Sequence, residues 1–175
     1  MQLDKLTLKS QEAVQAAQQL AQGNGNQEIQ PEHLVKAILE QQDGVVVPVL
    51  QKMGINPSLV LAETNKLIDD LPKVSGSGAT QTYPSTQFRA VLDNAFKTAA
   101  NMQDEYVSQE HLFMTVLADA SLKVSRMLKQ AGISSDAFLK ALMTVRGNQR
   151  VTDPYPEEKY QALEKYGRNL TNVAR

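Results

Sequence analysis

The sequence predicts an all-α fold of about eight helices, arranged as two similar halves of four helices each. Three observations lead to this prediction: an internal repeat, apolar residues spaced three or four apart, and glycine, proline or small polar residues where helices would begin and end. Eleven of the 54 positions from 8 to 61 carry the same residue 78 positions later, including Glu-His-Leu at 32–34 and 110–112. Each element of the first half should therefore have a counterpart 78 residues later.

The first helix of each half is predicted from a stripe of apolar and small residues. In the first half it spans about 7–22 and ends at the Gly-Asn-Gly sequence 23–25. The stripes of the two halves are Ala13, Val14, Ala17, Leu20 and Ala21, and Val91, Leu92, Ala95, Phe96 and Ala99. Such residues are typical of a packed core. An exposed apolar groove beside the fifth helix is the alternative for Phe88, Val91, Leu92 and Phe96.

The ends of the remaining helices are predicted from capping residues. Pro31 suits the first position of the second helix, and Ser108 can cap the equivalent helix of the second half. In both helices the apolar residues that follow the start are predicted to form a buried stripe. Gly54 and Gly132 stand where the third helix of each half should end in a left-handed residue. The fourth helices should begin after Asn56 and after the equivalent serine.

Two stretches of changed composition divide the chain. Residues 72–84 contain two prolines, two glycines and small polar residues, which predicts a flexible surface connection. We expect repeats at about 1–71 and 85–146 to pack into one domain, followed by a linker and the start of a further module at 147–175. An apolar stripe within 150–175 has no partner in the repeat, so we expect this tail to be loosely held.

Composition excludes several classes of function. Lys and Arg number 18 and Asp and Glu 19, so the net charge is −1, and a dedicated nucleic-acid-binding protein normally carries a basic surplus. Zero cysteines exclude a disulfide framework and a thiol nucleophile. The amino terminus lacks the apolar stretch of a signal peptide, and no run approaches the ~20 apolar residues that span a membrane. We expect a cytoplasmic protein with no membrane partner.

Two histidines lie at equivalent positions of the repeat, each directly after a glutamate. Glu32-His33 and Glu110-His111 could be metal ligands or acid-base pairs. Both histidines fall in the first turn of a predicted helix, where side chains meet free backbone N–H groups. Adjacent helical residues also point about 100° apart, which is a poor chelating geometry. We interpret the histidines as structural and predict no metal site; a small hydrolase built on either pair is a separate hypothesis.

Other candidate sites are weak. The chain lacks a Gly-x-x-x-x-Gly-Lys-Ser/Thr phosphate loop, a Gly-x-Gly-x-x-Gly sequence, a Gly-x-Ser-x-Gly sequence and a His-Glu-x-x-His sequence, so nucleotide hydrolysis by this chain is not expected. The acidic pairs at 69–70, 104–105 and 157–158 lie at helix ends or in linkers. We interpret them as solvated surface.

Several motifs together resemble the amino-terminal part of Clp ATPases, and among these the ClpB-type disaggregase chaperones. They are the start 3–7 (LDKLT), the paired Glu-His-Leu helix starts, the two Gly-Ile corners and the segment 162–171 (ALEKYGRNLT). The resemblance covers essentially all 175 residues. It implies a duplicated Clp amino-terminal domain followed by the linker that leads into the first AAA+ module.

The resemblance also implies a function. The chain would be a non-catalytic domain that engages exposed apolar segments of unfolded or aggregated proteins, and it would be monomeric and hold no cofactor. The full protein would be a hexamer working with the DnaK system, with ATP and Mg²⁺ bound by its AAA+ modules. Residues implied in substrate binding are Thr7, Val91, Leu92, Asp104, Glu110 and His111. The alternative is an adaptor-docking domain of a ClpA/ClpC-like protease-associated unfoldase.

Overall fold

The computed structural model describes residues 3–74, 81–147, 150–152, 154 and 156, and these residues form eight α-helices. After a 3-10 turn at Leu3–Lys5, the helices are α1 (Leu8–Gly23), α2 (Pro31–Glu40), α3 (Val46–Lys52), α4 (Pro57–Asp69), α5 (Thr86–Asn101), α6 (Gln109–Ala118), α7 (Lys123–Gln130) and α8 (Ser135–Arg146). Both ends of α1 and α2 are displaced by 78 residues from those of α5 and α6. The all-α class and the duplication are confirmed.

The helix ends follow the capping residues that the sequence predicts. Thr7 caps α1, and its counterpart Ser85 caps α5, each side chain accepting a hydrogen bond from a backbone N–H three residues later. Gly54 and Gly132 have φ of 76° and 93° after α3 and α7. Left-handed residues at these positions end a helix without steric cost only when they are glycine.

The two halves exchange their leading segments. Two parallel strands, β1 (Glu28–Ile29) and β2 (Tyr83–Pro84), pair across the halves, and Leu6 pairs in the same way with Val107. Leu6 corresponds to Pro84, and Val107 to Ile29, at the offset of 78. The segment before the first helix of each half therefore lies against the other half. The sequence did not predict these pairings, and β2 occupies the end of the stretch interpreted as a flexible connection.

One continuous core joins the halves. The stripe alanines of α1 and α5 are buried, as are Leu34 and Ile38 of α2 with Leu112 and Val116 of α6. Gln109 makes a polar link within this interior: its Oε1 accepts from the backbone N–H groups of Val45 (2.9 Å) and Val46 (2.8 Å). A side chain of the second half thus satisfies free donors at the start of α3 in the first half.

The beginning of the tail differs from the prediction. Val151 is fully buried, and its backbone pairs with the connection between α5 and α6. Val151 is therefore held against the helical body, because the α5–α6 connection offers it hydrogen-bond partners that the apolar pattern did not reveal, while Arg150 and Thr152 are exposed. The apolar stripe in 157–175 lies outside the described residues.

Candidate functional site

Four of the six predicted substrate-binding residues lie in or beside one buried polar cluster. We call this cluster the polar seam; its members are Asp104, Ser108, Glu110, His111 and Arg146. Thr7 lies next to it, because its N–H donates to the carbonyl of Val107 at 2.9 Å. The polar seam joins the α5–α6 connection, the first turn of α6 and the last residue of α8.

Asp104 is the centre of the polar seam. Its carboxylate accepts from Arg146 Nη1 at 3.0 Å and Nη2 at 2.7 Å, from His111 Nε2 at 2.7 Å and from the Val151 N–H at 3.0 Å. Burial alone would raise the pKa of Asp104, but the hydrogen bonds from His111 and Arg146 outweigh it and hold that pKa below its ordinary value. The interpretation of Asp104 as solvated surface is wrong, because Arg146 supplies a buried partner; its neighbour Glu105 is exposed.

His111 caps α6 from the inside of the domain. Its Nδ1 accepts from the backbone N–H of Ser108 at 2.8 Å, so the ring proton lies on Nε2 and is donated to Asp104. Glu110 is also fully buried; it accepts a short hydrogen bond from the Ser108 hydroxyl and lies 3.6 Å from Arg146 Nη1. Two carboxylates therefore share one guanidinium in the interior.

The equivalent cluster of the first half has uncharged residues at the positions of Asp104 and Arg146. His33 Nδ1 accepts from the Gln30 N–H at 2.9 Å, and its Nε2 lies 2.9 Å from Asn26 Oδ1. Burial, and then the positive charge of Lys36, lowers the pKa of His33 to about 4. Asn26 and Ile68 stand where the second half has Asp104 and Arg146. The structural interpretation of both histidines is therefore confirmed by the same cap in each half.

Both imidazoles are closed to substrate in this arrangement. The side chains of His33 and His111 are fully buried, and both nitrogens of each ring have hydrogen-bond partners. Burial raises the pKa of the Glu32 carboxyl, which lies beside Lys123 at the edge of an open pocket. Proton transfer by either Glu-His pair would require breaking a helix cap. Among the described residues no group of three or more His, Cys, Asp or Glu side chains is placed to hold a metal ion.

The other predicted residues are also interior. Val91 and Leu92 of α5 are 1% exposed, which agrees with the core interpretation of that stripe. Thr7 is fully buried and accepts from the Ser10 N–H at 3.2 Å. Because all six side chains are buried, direct contact of these residues with a substrate stays a prediction.

The structure contains an apolar cleft between α1 and α5, the first helices of the two halves. We call it the α1–α5 cleft; its volume is about 370 Å³. The residues that line it are Gln11, Val14, Gln15, Gln18, Ile29, Pro84 and Phe88. Phe88 is the residue that it shares with the groove considered from the sequence. Such a cleft can accept an extended or helical peptide segment by apolar contact, with Gln15 and Gln18 able to form hydrogen bonds to its backbone.

Sequence reasoning missed Arg146 and most of the cleft. Arg146 had a detectable signal: at the repeat offset it replaces Ile68, a buried residue of α4, and a charge at a buried repeat position requires a partner. Ile29 and Pro84 had none, because their place in the cleft arises from the β1–β2 pairing. No helix in the described part of the chain is long and apolar enough to cross a membrane.

The chain is similar to known chaperones. Residues 5–131 match the model of the Clp repeat (R) N-terminal domain. Over 169 residues, or 97% of this chain, it is 44% identical to the chaperone protein ClpB of Mycobacterium tuberculosis. The chain spans about a fifth of the length of that relative, since the match covers 20% of it.

Solved structures show the same fold. The N-terminal domain of Hsp104 from Candida albicans superposes with a TM-score of 0.76 at 22% identity, covering 87% of this chain and 99% of that domain. A ClpV N-domain in complex with a VipB peptide gives a TM-score of 0.65 at 17% identity, with 81% and 86% covered. The family model, the whole-chain identity to ClpB and the fold agree: this chain belongs to the Clp repeat N-terminal domain family and is a ClpB-like N-domain.

Proposed function

We propose that this chain is the non-catalytic substrate-binding domain of a ClpB-like, ATP-dependent protein disaggregase. Its substrates are exposed apolar segments of unfolded or aggregated proteins, and they bind in the α1–α5 cleft. The observation that carries the proposal is the cleft itself, which places Val14, Ile29 and Phe88 beside an opening between the two halves. Membership of the Clp repeat family supports it.

The chemistry of the cleft fits an unfolded polypeptide. Apolar burial is non-directional, so a surface formed by the partly exposed Val14 and Pro84, backed by the buried Ile29 and Phe88, accepts many sequences. An unfolded segment also presents free backbone N–H and C=O groups. The glutamines at 15 and 18 carry both donors and acceptors and can pair with either backbone group, whereas Gln11 Nε2 already donates to the Leu6 carbonyl at 3.0 Å. Folded proteins present few such groups together with apolar surface.

The size of the cleft predicts weak and reversible binding. Apolar contact gains ~25 cal/mol for each Å² that is buried, so the small apolar surface of the cleft and of the segment that fills it gains only a few kcal/mol. Loss of translational freedom and ordering of a flexible segment cost several kcal/mol, which leaves a modest net affinity. Weak binding suits a domain that must release its substrate.

The wider context is part of the same proposal. By family, the full-length protein is a cytoplasmic hexamer whose AAA+ modules bind ATP and Mg²⁺ and which works with the DnaK system. This stretch itself acts as a monomeric module without a cofactor. The ClpV N-domain that was solved with a VipB peptide supports peptide recognition by this fold.

The proposal is tested by fluorescence anisotropy with a permanently unfolded model protein and with its native form. We expect binding to the unfolded form alone, with little dependence on salt, because the contacts are apolar. Val14→Asp should weaken binding by roughly tenfold or more, since it places a charge in the cleft. Leu59→Asp is the matched control: Leu59 on α4 is 66% exposed and does not line the cleft.

Two outcomes would overturn the proposal. Equal binding of native and unfolded forms would show that exposed apolar segments are not what is recognised. Equal losses in Val14→Asp and Leu59→Asp would show that any surface leucine or valine serves, so the cleft is not a site. Stoichiometric capture of one folded partner would instead favour the adaptor-docking domain of a ClpA/ClpC-like unfoldase.

A further inference from the structure

The chain returns to the polar seam after α8. It turns at Gly147, whose φ is 60°, and reaches the α5–α6 connection at Val151. The Val151 carbonyl accepts from the Glu105 N–H at 2.7 Å and the Tyr106 N–H at 3.3 Å. The Val151 side chain is fully buried. Backbone pairing combined with a buried side chain holds a segment at one place on the surface.

A second contact lies a few residues further along. The Pro154 carbonyl accepts from the N–H of Leu8 at 3.1 Å. Leu8 is the first residue of α1, where backbone N–H groups have no partner inside the helix. The returning segment therefore touches both the α5–α6 connection and the start of α1, two regions that belong to different halves.

Arg146 orients the carboxylate of Asp104, to which this segment is hydrogen-bonded. Asp104 Oδ1 accepts both from Arg146 Nη2 at 2.7 Å and from the Val151 N–H at 3.0 Å. The second bond from Arg146, to Oδ2, fixes the rotation of the carboxylate. Because Arg146 is the last residue of α8, the end of the helix and the returning segment are tied to the same two oxygens.

The first half shows that the helices do not need these charges. Its chain also returns after α4, where Asn26 Nδ2 donates to the Pro72 carbonyl at 2.9 Å. That contact uses a neutral amide, and Ile68 stands at the position of Arg146. The second half differs because its returning chain presents a donor, the N–H of Val151. We therefore attribute the charged pair of Asp104 and Arg146 to this N–H.

We propose that Arg146 is a positioning residue that, through Asp104, latches the backbone at Val151 onto the α5–α6 connection. The latch consists of Arg146, Asp104 and Val151. The latch does not depend on the function proposed above.

Hydrogen exchange and limited proteolysis of the 175-residue chain test the latch. In Arg146→Met the Val151 amide should exchange roughly tenfold faster or more than in the parent chain, as expected for loss of a hydrogen bond to a fixed carboxylate. Trypsin cleavage after Arg150, an exposed residue, should accelerate in parallel. Arg146→Lys keeps the charge but loses the bidentate contact. It should therefore accelerate the exchange of the Val151 amide and the cleavage after Arg150 by a smaller factor than Arg146→Met does.

Asn26→Ala is the matched control. It removes the equivalent contact of the first half and should leave the Val151 amide and the cleavage after Arg150 unchanged relative to the Ile38 amide. The latch is contradicted if the Val151 amide of the parent chain exchanges as fast as in an unstructured peptide. It is equally contradicted if, in Arg146→Lys, which keeps the buried charge, the Val151 amide accelerates no more than the Ile38 amide of the core, because that result describes general destabilisation.

Discussion

The two halves of the domain share one backbone plan but differ in one buried cluster. In the first half His33 caps α2 beside Asn26, and Ile68 fills the space behind. In the second half His111 caps α6 in the same way, but Asp104 and Arg146 replace the neutral pair. The helix cap made by each histidine thus requires only the imidazole and an oxygen acceptor beside its Nε2.

The difference follows the chemistry of the returning chain. Asn26 meets a carbonyl, that of Pro72, and an amide nitrogen can donate to it. Asp104 meets an N–H, that of Val151, and a carboxylate can only accept from it. A buried carboxylate is costly without a cation, which accounts for Arg146 in place of an isoleucine. The two halves therefore keep the same backbone geometry, while the buried polar residue of each half matches the backbone group that it contacts.

The largest expected effect comes from removing the cation of the second half. Arg146→Met should lower the free energy of unfolding by about 3–5 kcal/mol, because it leaves the carboxylates of Asp104 and Glu110 buried without compensation. The matched change in the first half, Ile68→Met, should cost less than about 1.5 kcal/mol. Urea denaturation monitored by circular dichroism measures both.

A double variant sharpens this test. Asp104→Asn combined with Arg146→Ile copies the first half and should be more stable than Arg146→Ile alone, because one unpaired charge is removed. If the single and double variants are equally unstable, the charge pairing assigned to Asp104 and Arg146 is wrong.

Acid should affect the first half at a higher pH than the second. The pKa of His33 is lowered from 6.5 to about 4, so its contribution to stability is complete above pH 6.5 and is lost as the pH falls to about 4. The stability advantage of the parent over His33→Gln should shrink by up to about 3 kcal/mol across that window. The contribution of Asp104, whose pKa is depressed, is lost only below its ordinary value of 3.8. An advantage independent of pH in urea titrations would contradict this.

A smaller effect is expected at the link between the halves. A Cβ at Gly44 would lie 2.5 Å from Gln109 Nε2, so Gly44→Ala should displace Gln109 from the start of α3 and cost about 1–3 kcal/mol. Gly23→Ala, where a Cβ meets nothing within 4 Å, should be neutral or stabilising. Thermal unfolding of the two variants separates the outcomes, and equal midpoints would refute the role of Gln109.

The smallest effects should be equal in the two halves. Thr7→Ala and Ser85→Ala each remove one helix cap and should each cost about 1 kcal/mol. A Thr7 variant much less stable than the Ser85 variant would show that Thr7 contributes more than a cap. Denaturant midpoints for the pair provide the measurement.

The fold could be predicted almost completely from the sequence, because the signals for helices are local. Apolar spacing, Pro31 and the glycines at 54 and 132 indicate where helices begin and end, and the repeat provides each signal twice. The β1–β2 pairing could not be predicted. It joins residues about 55 positions apart through backbone groups, which leave no pattern in side-chain identity.

The site was predicted only in part. The histidines were correctly interpreted as structural because their place in a first turn is itself a local signal. Asp104 was interpreted as solvated, since nothing near it in the sequence shows that Arg146, 42 residues later, is its partner. The α1–α5 cleft depends on how two helices from different halves meet, and their stripes alone predicted burial.

The central claim, that the α1–α5 cleft binds unfolded segments, is tested most directly by methyl NMR. The chain is titrated with an unfolded apolar peptide while the methyl signals of Val14, Ile29, Leu59 and Val151 are followed. The account predicts saturable shifts at Val14 and Ile29, with Leu59 and Val151 unchanged. Saturable binding that shifts Leu59 or Val151 and leaves Val14 and Ile29 unchanged would contradict it.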